Sequence, residues 1–389
     1  MKKTLSVLLA GAMLAGALTG CGGGNTNDGS SNDGAETTAF KIGGTGPLTG
    51  GAAIYGNAVK NGAQIAVDEI NAMGGIQFEL SMQDDENDPE KAANCYNKLK
   101  DWGMQLSLVS VTSKPAEAIS VNHNEDRIFG LTPSASSVAV TEGKDDVYQM
   151  CFIDPDQGTT AADYIADNGL GSKIAIIYKN DDVYSTGIYE TFTTEAAVKG
   201  LEVVSVTTFT EATSNDFSVQ LNDAKNKGAD LIFLPMYYQP ASLILNQANT
   251  MGLDIKFIGV DGMDGILTLE NFDTSLAEGV MLLTPFNPSS TDERTQNFVE
   301  KYEEQFGDKP NQFAADAYDC IYAYKQALEA AGATYDMSAE ELCDLMIEQF
   351  GGMTFDGLTG TGATWDASTG RVSKIPTGVV IQNGAYVGI

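Results

Sequence analysis

The sequence predicts an α/β protein built as two doubly wound lobes, each around a parallel sheet. Three observations lead there. From Phe40 onward, short β-rich runs alternate with longer amphipathic ones, the pattern of β-α-β units. The candidate strands fall into two successive groups. The chain has 389 residues, enough for two or three domains with well-formed cores. An apolar fraction of 43% places it among globular proteins although its net charge is -31.

The first strand group is Phe40 to Gly44, Phe78 to Gln83, Leu106 to Val111, Ile128 to Leu131 and Val147 to Phe152. The second is Lys173 to Tyr178, Glu202 to Thr208, Asp230 to Leu234, Lys256 to Val260 and Gly279 to Leu283. Between them, Val59, Ala63, Ala66, Val67 and Ile70 recur at helical spacing, and Gly74-Gly75 ends that run. Asp88-Pro89-Glu90 supplies an N-cap, a proline for the first helical position and an acid for the first turn. Asn215 or Asp216 is expected to cap a helix running through Leu221 to Lys227. Three further helices read as Thr291 to Phe306, Gln312 to Ala331 and Ser338 to Phe350, each followed by glycine.

The N-terminus reads as an address. Lys2 and Lys3 precede an apolar run from Leu5 to Leu18, the layout of a signal peptide over 1–20 and too short for a comfortable membrane span. The segment 21–39 is rich in Gly, Ser, Asn and Asp with no large apolar side chain, a flexible tether with a reach on the order of 25 Å. Cys95, Cys151, Cys320 and Cys343 are too widely spaced for a compact disulfide framework and are expected to be mostly buried thiols.

Charge and composition exclude several classes. With 22 Lys+Arg against 53 Asp+Glu, the chain is poorly equipped to bind nucleic acid or an anionic membrane surface. His123 is the only histidine, so multi-histidine metal sites are excluded. It is expected on the solvated side of a helix. Gly44-Thr45-Gly46 begins like a dinucleotide fingerprint, but its third glycine is displaced. Asp84 to Asp88 resembles a calcium loop only in its alternating acids; Pro89 stands where glycine is required, and helix capping explains the run better. No cofactor, metal or nucleophile-base pair is expected. The remaining acids read as solvated surface.

Leu18-Thr19-Gly20-Cys21 resembles the lipobox of bacterial lipoproteins, which implies lipid on Cys21 and an extracytoplasmic, membrane-anchored body. The body itself resembles the branched-chain amino-acid-binding proteins, type I solute-binding proteins of ABC importers. The matching pieces are Gly46-Pro47-Leu48-Thr49-Gly50, Tyr55-Gly56-Asn57 and Asp68 to Ile76, then Asp84 to Pro89 and Thr132 to Ser136. Asp156-Gln157-Gly158, Asp216-Phe217-Ser218, Ile258 to Gly262, Leu358-Thr359-Gly360 and Trp365-Asp366 follow in order. This resemblance implies a type I periplasmic-binding-protein fold with a three-segment hinge, the N-terminal lobe comprising 40–154 plus 286–356 and the C-terminal lobe 155–285 plus 357–389. It implies capture of a small amino acid, branched-chain or apolar, by a monomer that delivers it to the transmembrane subunits of an ABC permease.

Ligands of open α/β sheets bind beyond the carboxyl ends of strands, where helix N-termini point. Tyr55 follows the first strand; Ser110, Thr112 and Ser113 follow the third; Ser134 and Ser136 follow the fourth. Hydroxyls and helix-start amides hold a carboxylate without arginine. Asp261 follows a strand of the second group, and the resemblance implies that it pairs with an α-ammonium, with Asp in place of the longer Glu of some relatives. Tyr184 and Tyr237 supply ring faces or hydroxyls, and of the adjacent Tyr237 and Tyr238 only Tyr237 is expected in the cleft. Phe313 matches a family position near the side-chain pocket. Lys114 is expected to be solvated. An amide, urea or aromatic acid is the alternative ligand, and presentation to a membrane sensor the alternative to transport.

Overall fold

The computed structural model describes residues 38–388. The expected signal peptide, Cys21 and nearly all of the tether lie outside the described residues. No helix among the described residues is long and apolar enough to cross a membrane.

The first sheet is assembled by a chain that alternates strand and helix up to β4: β1 (Phe40–Gly46), α1 (Ala53–Met73), β2 (Phe78–Asp84), α2 (Pro89–Trp102), β3 (Leu106–Ser110), α3 (Ser113–Asp126), β4 (Gly130–Thr132) and, after a single 3-10 turn, β5 (Val147–Gln149). All five strands are parallel, in the order β2-β1-β3-β4-β5. Asp88 caps α2 by accepting from Lys91 N at 2.9 Å, as its sequence predicts.

The second sheet follows: α4 (Asp154–Asp167), β6 (Lys173–Lys179), α5 (Val183–Lys199), β7 (Glu202–Phe209), α6 (Ser218–Asn226), β8 (Leu231–Leu234), α7 (Tyr238–Thr250), β9 (Lys256–Gly259) and β10 (Met281–Thr284). Along β8, Ile232 and Leu234 face one apolar core while Leu231 and Phe233 face another. Helices therefore cover both faces, the doubly wound arrangement expected. The α6 cap is Phe217, not Asn215 or Asp216; Asp216 instead accepts from Ser218 N at 2.9 Å one position earlier.

The chain then returns as α8 (Glu293–Phe306), α9 (Gln312–Ala331) and α10 (Ala339–Phe350). Helix α9 lies against α1 so closely that a Cβ on Gly62 would sit 2.0 Å from the Ala314 carbonyl oxygen. After the two-residue strands β11 (Trp365–Asp366) and β12 (Arg371–Val372), the hairpin β13 (Thr377–Gln382) and β14 (Ala385–Gly388) completes a seven-stranded sheet, β14-β13-β10-β9-β8-β6-β7. The hairpin is antiparallel and was not among the sequence-derived strands. Its turn, Asn383-Gly384, has positive φ at both residues, the geometry that this pair favours.

One expected boundary shifts. The sequence assigns everything after residue 356 to the second lobe, but 357–372 packs with the first. Asp319 on α9 accepts from Leu358 N at 2.8 Å and Thr359 N at 2.9 Å, and Trp365 Nε1 donates to Gln149 O at 2.9 Å. Gln149 N in turn donates to Gly370 O at 2.8 Å. The chain reaches the second sheet only at Thr377, and the intervening Lys374 is pinned to α9 by a buried ion pair with Asp316 at 2.9 Å.

Two other expectations are corrected. His123 is fully buried, its ring 4.7 Å from that of Tyr96 and its Nδ1 2.9 Å from Ile119 O. Burial lowers its pKa to about 4, because the face of α3 that carries it packs on α2. Nor are the acids other than Asp261 all surface: Asp85, Asp146, Asp154, Asp264, Asp316 and Asp319 are buried. The four cysteines after residue 21 are buried and unpaired, as expected.

Gly62→Ala drives a methyl group into a backbone oxygen and is expected to destabilise the protein by about 1 to 3 kcal/mol. A fall in melting temperature without loss of secondary structure in circular dichroism checks this.

Candidate ligand-binding cleft

The carboxyl ends of both sheets face one another across a nearly closed cavity of about 10 Å³, room for no more than a single water. One wall comes from the first lobe: Tyr55 near the start of α1, Val111, Thr112 and Ser113 at the start of α3, Ser134 after β4, and Phe313 at the start of α9. The opposite wall is Tyr184 from the first turn of α5, Tyr237 at the cap of α7, and Asp261-Gly262 after β9. Eight of the ten sequence-derived positions thus line a single cavity.

Ser110 and Ser136 do not. A bulge in β3 places Val109 at φ 55, a conformation that β-branched residues rarely adopt, and shifts the register against β1. A one-residue slip exchanges the faces of a strand, and Ser110 is turned inward to donate to Asp85 at 2.8 Å. Ser136 is buried off the wall; its carbonyl accepts from Asp154 N at 2.9 Å.

The first-lobe wall leaves hydrogen-bond donors free at the start of α3. The α3 cap, Thr112, makes no side-chain bond to the helix amides, because its hydroxyl donates to Asn87 Oδ1 at 2.7 Å. The first-turn amides and the positive end of α3 are therefore left to a ligand. Ser113 Oγ accepts from Ser137 N at 3.2 Å and keeps its own proton to donate. Ser134 is less available, since its hydroxyl is given to Val111 O at 2.6 Å. Lys114 is exposed, as expected.

The second-lobe wall centres on Asp261, which is 3% exposed. Tyr184 donates to its Oδ1 at 2.5 Å, and Gln157 Oε1 accepts from its backbone N at 3.1 Å. Burial pushes its pKa up to about 7 against the opposing pull of these two partners. Lys374 is the one buried Lys or Arg among the described residues, and Asp316 and Thr359 occupy its ammonium. Asp261 is thus a buried acid with no cation of its own.

Aromatic rings close the cavity between these poles. Tyr55 lies 4.5 Å from Phe313 and 5.2 Å from Tyr237, and Tyr237 lies 5.1 Å from Tyr184, centroid to centroid. Tyr238 points away from the cavity, its hydroxyl accepting from Ile54 N at 3.2 Å. The lobes also touch directly: Tyr55 donates to Gly262 O, and Gln312 N donates to Asp264 Oδ2 at 2.8 Å. Tyr184 and Tyr237 also border a larger outer chamber of about 580 Å³, whose rim includes Lys114, Lys179 and Gln239.

Two wall residues and one supporting residue went unassigned in the sequence reading. Val111 and Gly262 were hidden by their plain chemistry, and Gln157 lay in a quoted motif without a role. Gly262 is required by space: a Cβ there would sit 2.6 Å from the Tyr184 hydroxyl.

The sequence matches the periplasmic binding protein family over residues 39–379. The chain belongs to that family. Among curated proteins, this periplasmic binding protein is 27% identical over 306 residues to Leu/Ile/Val-binding protein homolog 3 of Brucella melitensis, covering 77% of this chain and 81% of the relative. It is 26% identical over 296 residues to the leucine-, isoleucine-, valine-, threonine- and alanine-binding protein of Pseudomonas aeruginosa, covering 75% and 78%. Among solved structures, the branched-chain amino acid transporter substrate-binding protein of Streptococcus pneumoniae, in complex with isoleucine, superposes with a TM-score of 0.81 at 28% identity, covering 90% of this chain and 97% of that one. A leucine-binding protein from Thermotoga maritima gives 0.80 at 27%, covering 90% and 98%. The periplasmic binding protein described here accordingly has the type I two-lobed fold.

Tyr184→Phe removes a donor that favours the ionised form of Asp261 and is expected to raise the Asp261 pKa above its present value near 7. Carboxyl-carbon NMR titration of the ligand-free protein measures the direction.

Proposed function

We propose that this protein is the extracytoplasmic receptor of an ABC importer and captures a single small amino acid, of the branched-chain or apolar kind, between its closing lobes. The observation that carries the proposal is the polarity of the cavity. Free amides and a hydroxyl at the start of α3 face Asp261, an acid buried without a cation. That spacing of an anion site and a cation site suits the zwitterionic head of an amino acid. The rings of Tyr55 and Phe313 offer its side chain an apolar surface.

Closure would be a population shift. The ligand stabilises the closed form because it meets α3 from one lobe and Asp261 from the other only when both are together. The chain crosses between the sheets three times, around 150–153, 285–292 and 373–376, and these segments would form the hinge. Lipid on Cys21, the tether behind it, a monomeric body and delivery to permease subunits complete the proposal. They rest on the lipobox, on the composition of 21–39 and on the names of the relatives.

Calorimetric titration tests the head-group assignment. Asp261→Asn should weaken leucine by a factor of about 30 or more, the scale of losing one partner of a buried charge pair. Unchanged affinity would mean a ligand without an ammonium, such as an aromatic acid or amide.

The pH dependence has a definite sign. An ammonium is held by the ionised carboxylate, and Asp261 takes up its proton near pH 7 in the free protein. Affinity for leucine should therefore be full at pH 8 to 9 and fall progressively below about pH 7, and Asp261→Asn should abolish that slope. Thermal-shift measurements with leucine across this range provide the check.

A further inference from the structure

The motif Asp156-Gln157-Gly158 on α4 has no place on the cavity wall, yet it reaches the wall's central acid. Gln157 is fully buried, and its Oε1 accepts the backbone N–H of Asp261 at 3.1 Å across 104 residues of sequence. Its Nε2 is buried with no hydrogen-bond partner in the fold.

The neighbouring Gly158 explains how that reach is held. A Cβ there would lie 2.1 Å from Thr191 Oγ1, 2.5 Å from Ile188 O and 2.7 Å from Phe192 N. Helices α4 and α5 are therefore in backbone contact at this point, and no other residue type permits it. Helix α5 also carries Tyr184, which donates to Asp261 Oδ1 at 2.5 Å and accepts from Gly262 N at 2.9 Å. The tight α4–α5 crossing thus presents Gln157 and Tyr184 to the same short segment, Asp261-Gly262, from two helices.

We propose that Gln157 is a positioning residue for the ligand's ammonium site: clamped by the Gly158 crossing, its amide oxygen holds the Asp261 segment in place, and its Nε2 is engaged by no other group of the fold. This rests on Asp261 being the ammonium partner. In the free protein the Gln157 side chain is one of the groups that draw the Asp261 pKa back down against burial. Removing that donor should therefore leave Asp261 harder to ionise. The groups that face Asp261 in this linkage are Tyr184 from α5, Gln157 and the buried Asp154 carboxyl from α4, the Gly262 amide, the Asp316 carboxyl from α9, Tyr55 from α1, Tyr237 at the cap of α7 and the Cys151 thiol.

The test compares Gln157→Met and Gln157→Glu in the full mature protein, with leucine as the probe and affinity measured from pH 5.5 to 9. Gln157→Met keeps the bulk without either hydrogen bond. It should weaken leucine by about tenfold at pH 7, the worth of one charge-assisted hydrogen bond, and move the pH at which affinity falls upward. Gln157→Glu keeps an acceptor for the Asp261 N–H but puts a second acid in place of the donor, so it should move that pH further upward. If Gln157→Met folds and leaves both affinity and pH profile unchanged, the proposal is wrong. It is equally wrong if affinity falls with no movement of the profile, which is the signature of packing alone. Should Gln157→Met not fold, an unmoved profile in Gln157→Glu overturns the proposal by itself. Asp261→Asn runs as the control: if that variant binds leucine like the wild type, the ammonium assignment fails, whatever Gln157 does.

Discussion

The burial of the Asp261 carboxyl at the meeting point of the two lobes is the constraint on which the rest of the cleft depends. A carboxylate taken out of water without a cation is costly, and a fold retains one only when hydrogen bonds and a future partner compensate. Here Tyr184, Gln157 and the Gly262 amide surround it, each from a different element, and none carries charge. The arrangement leaves the acid stable enough to fold around and still unsatisfied enough to draw a cation.

Close backbone packing makes such a site possible. The crossings at Gly62 on α1 and Gly158 on α4 bring helix axes together where any side chain would collide with a carbonyl or amide. The first seats α9, and with it Phe313 and Gln312, against the first lobe; the second fixes the two helices that hold Asp261. At the lobe junction, the Lys374–Asp316 pair secures the third crossing segment to the same helix that supplies the floor of the cavity. Charge at the junction is therefore unevenly met: Asp316 is paired with Lys374, whereas Asp154, Asp261 and Asp264 have no ion-pair partner among the described residues.

The two poles of the cavity differ in origin. The first-lobe pole is local: a bulge at Val109 swings the end of β3, and the uncapped start of α3 follows within a few residues. The second-lobe pole, around Asp261, is assembled from α4, α5 and the segment after β9, far apart in sequence. The first tolerates change in the rest of the lobe, whereas the second depends on the mutual position of three elements.

Periodicity and punctuation alone were enough to determine ten of the fourteen strands, the N-cap of α2, and the alternation that makes the sheets parallel. These are local preferences of a backbone and its nearest side chains. The strands after residue 356 escaped because their pairing is antiparallel and partly irregular, and the turn preference of Asn383-Gly384 went unread. Most of the eight cavity positions were legible because the carboxyl ends of strands in such sheets converge, whereas Phe313 and the role given to Asp261 came from the family resemblance. What only the tertiary structure decided was direction and company: that Ser110 turns inward to Asp85, that His123 is buried against Tyr96, that 357–372 stays with the first lobe, and that Gln157 reaches Asp261. Each depends on a register shift or a contact between distant segments, and a sequence encodes those only through the packing of the whole chain.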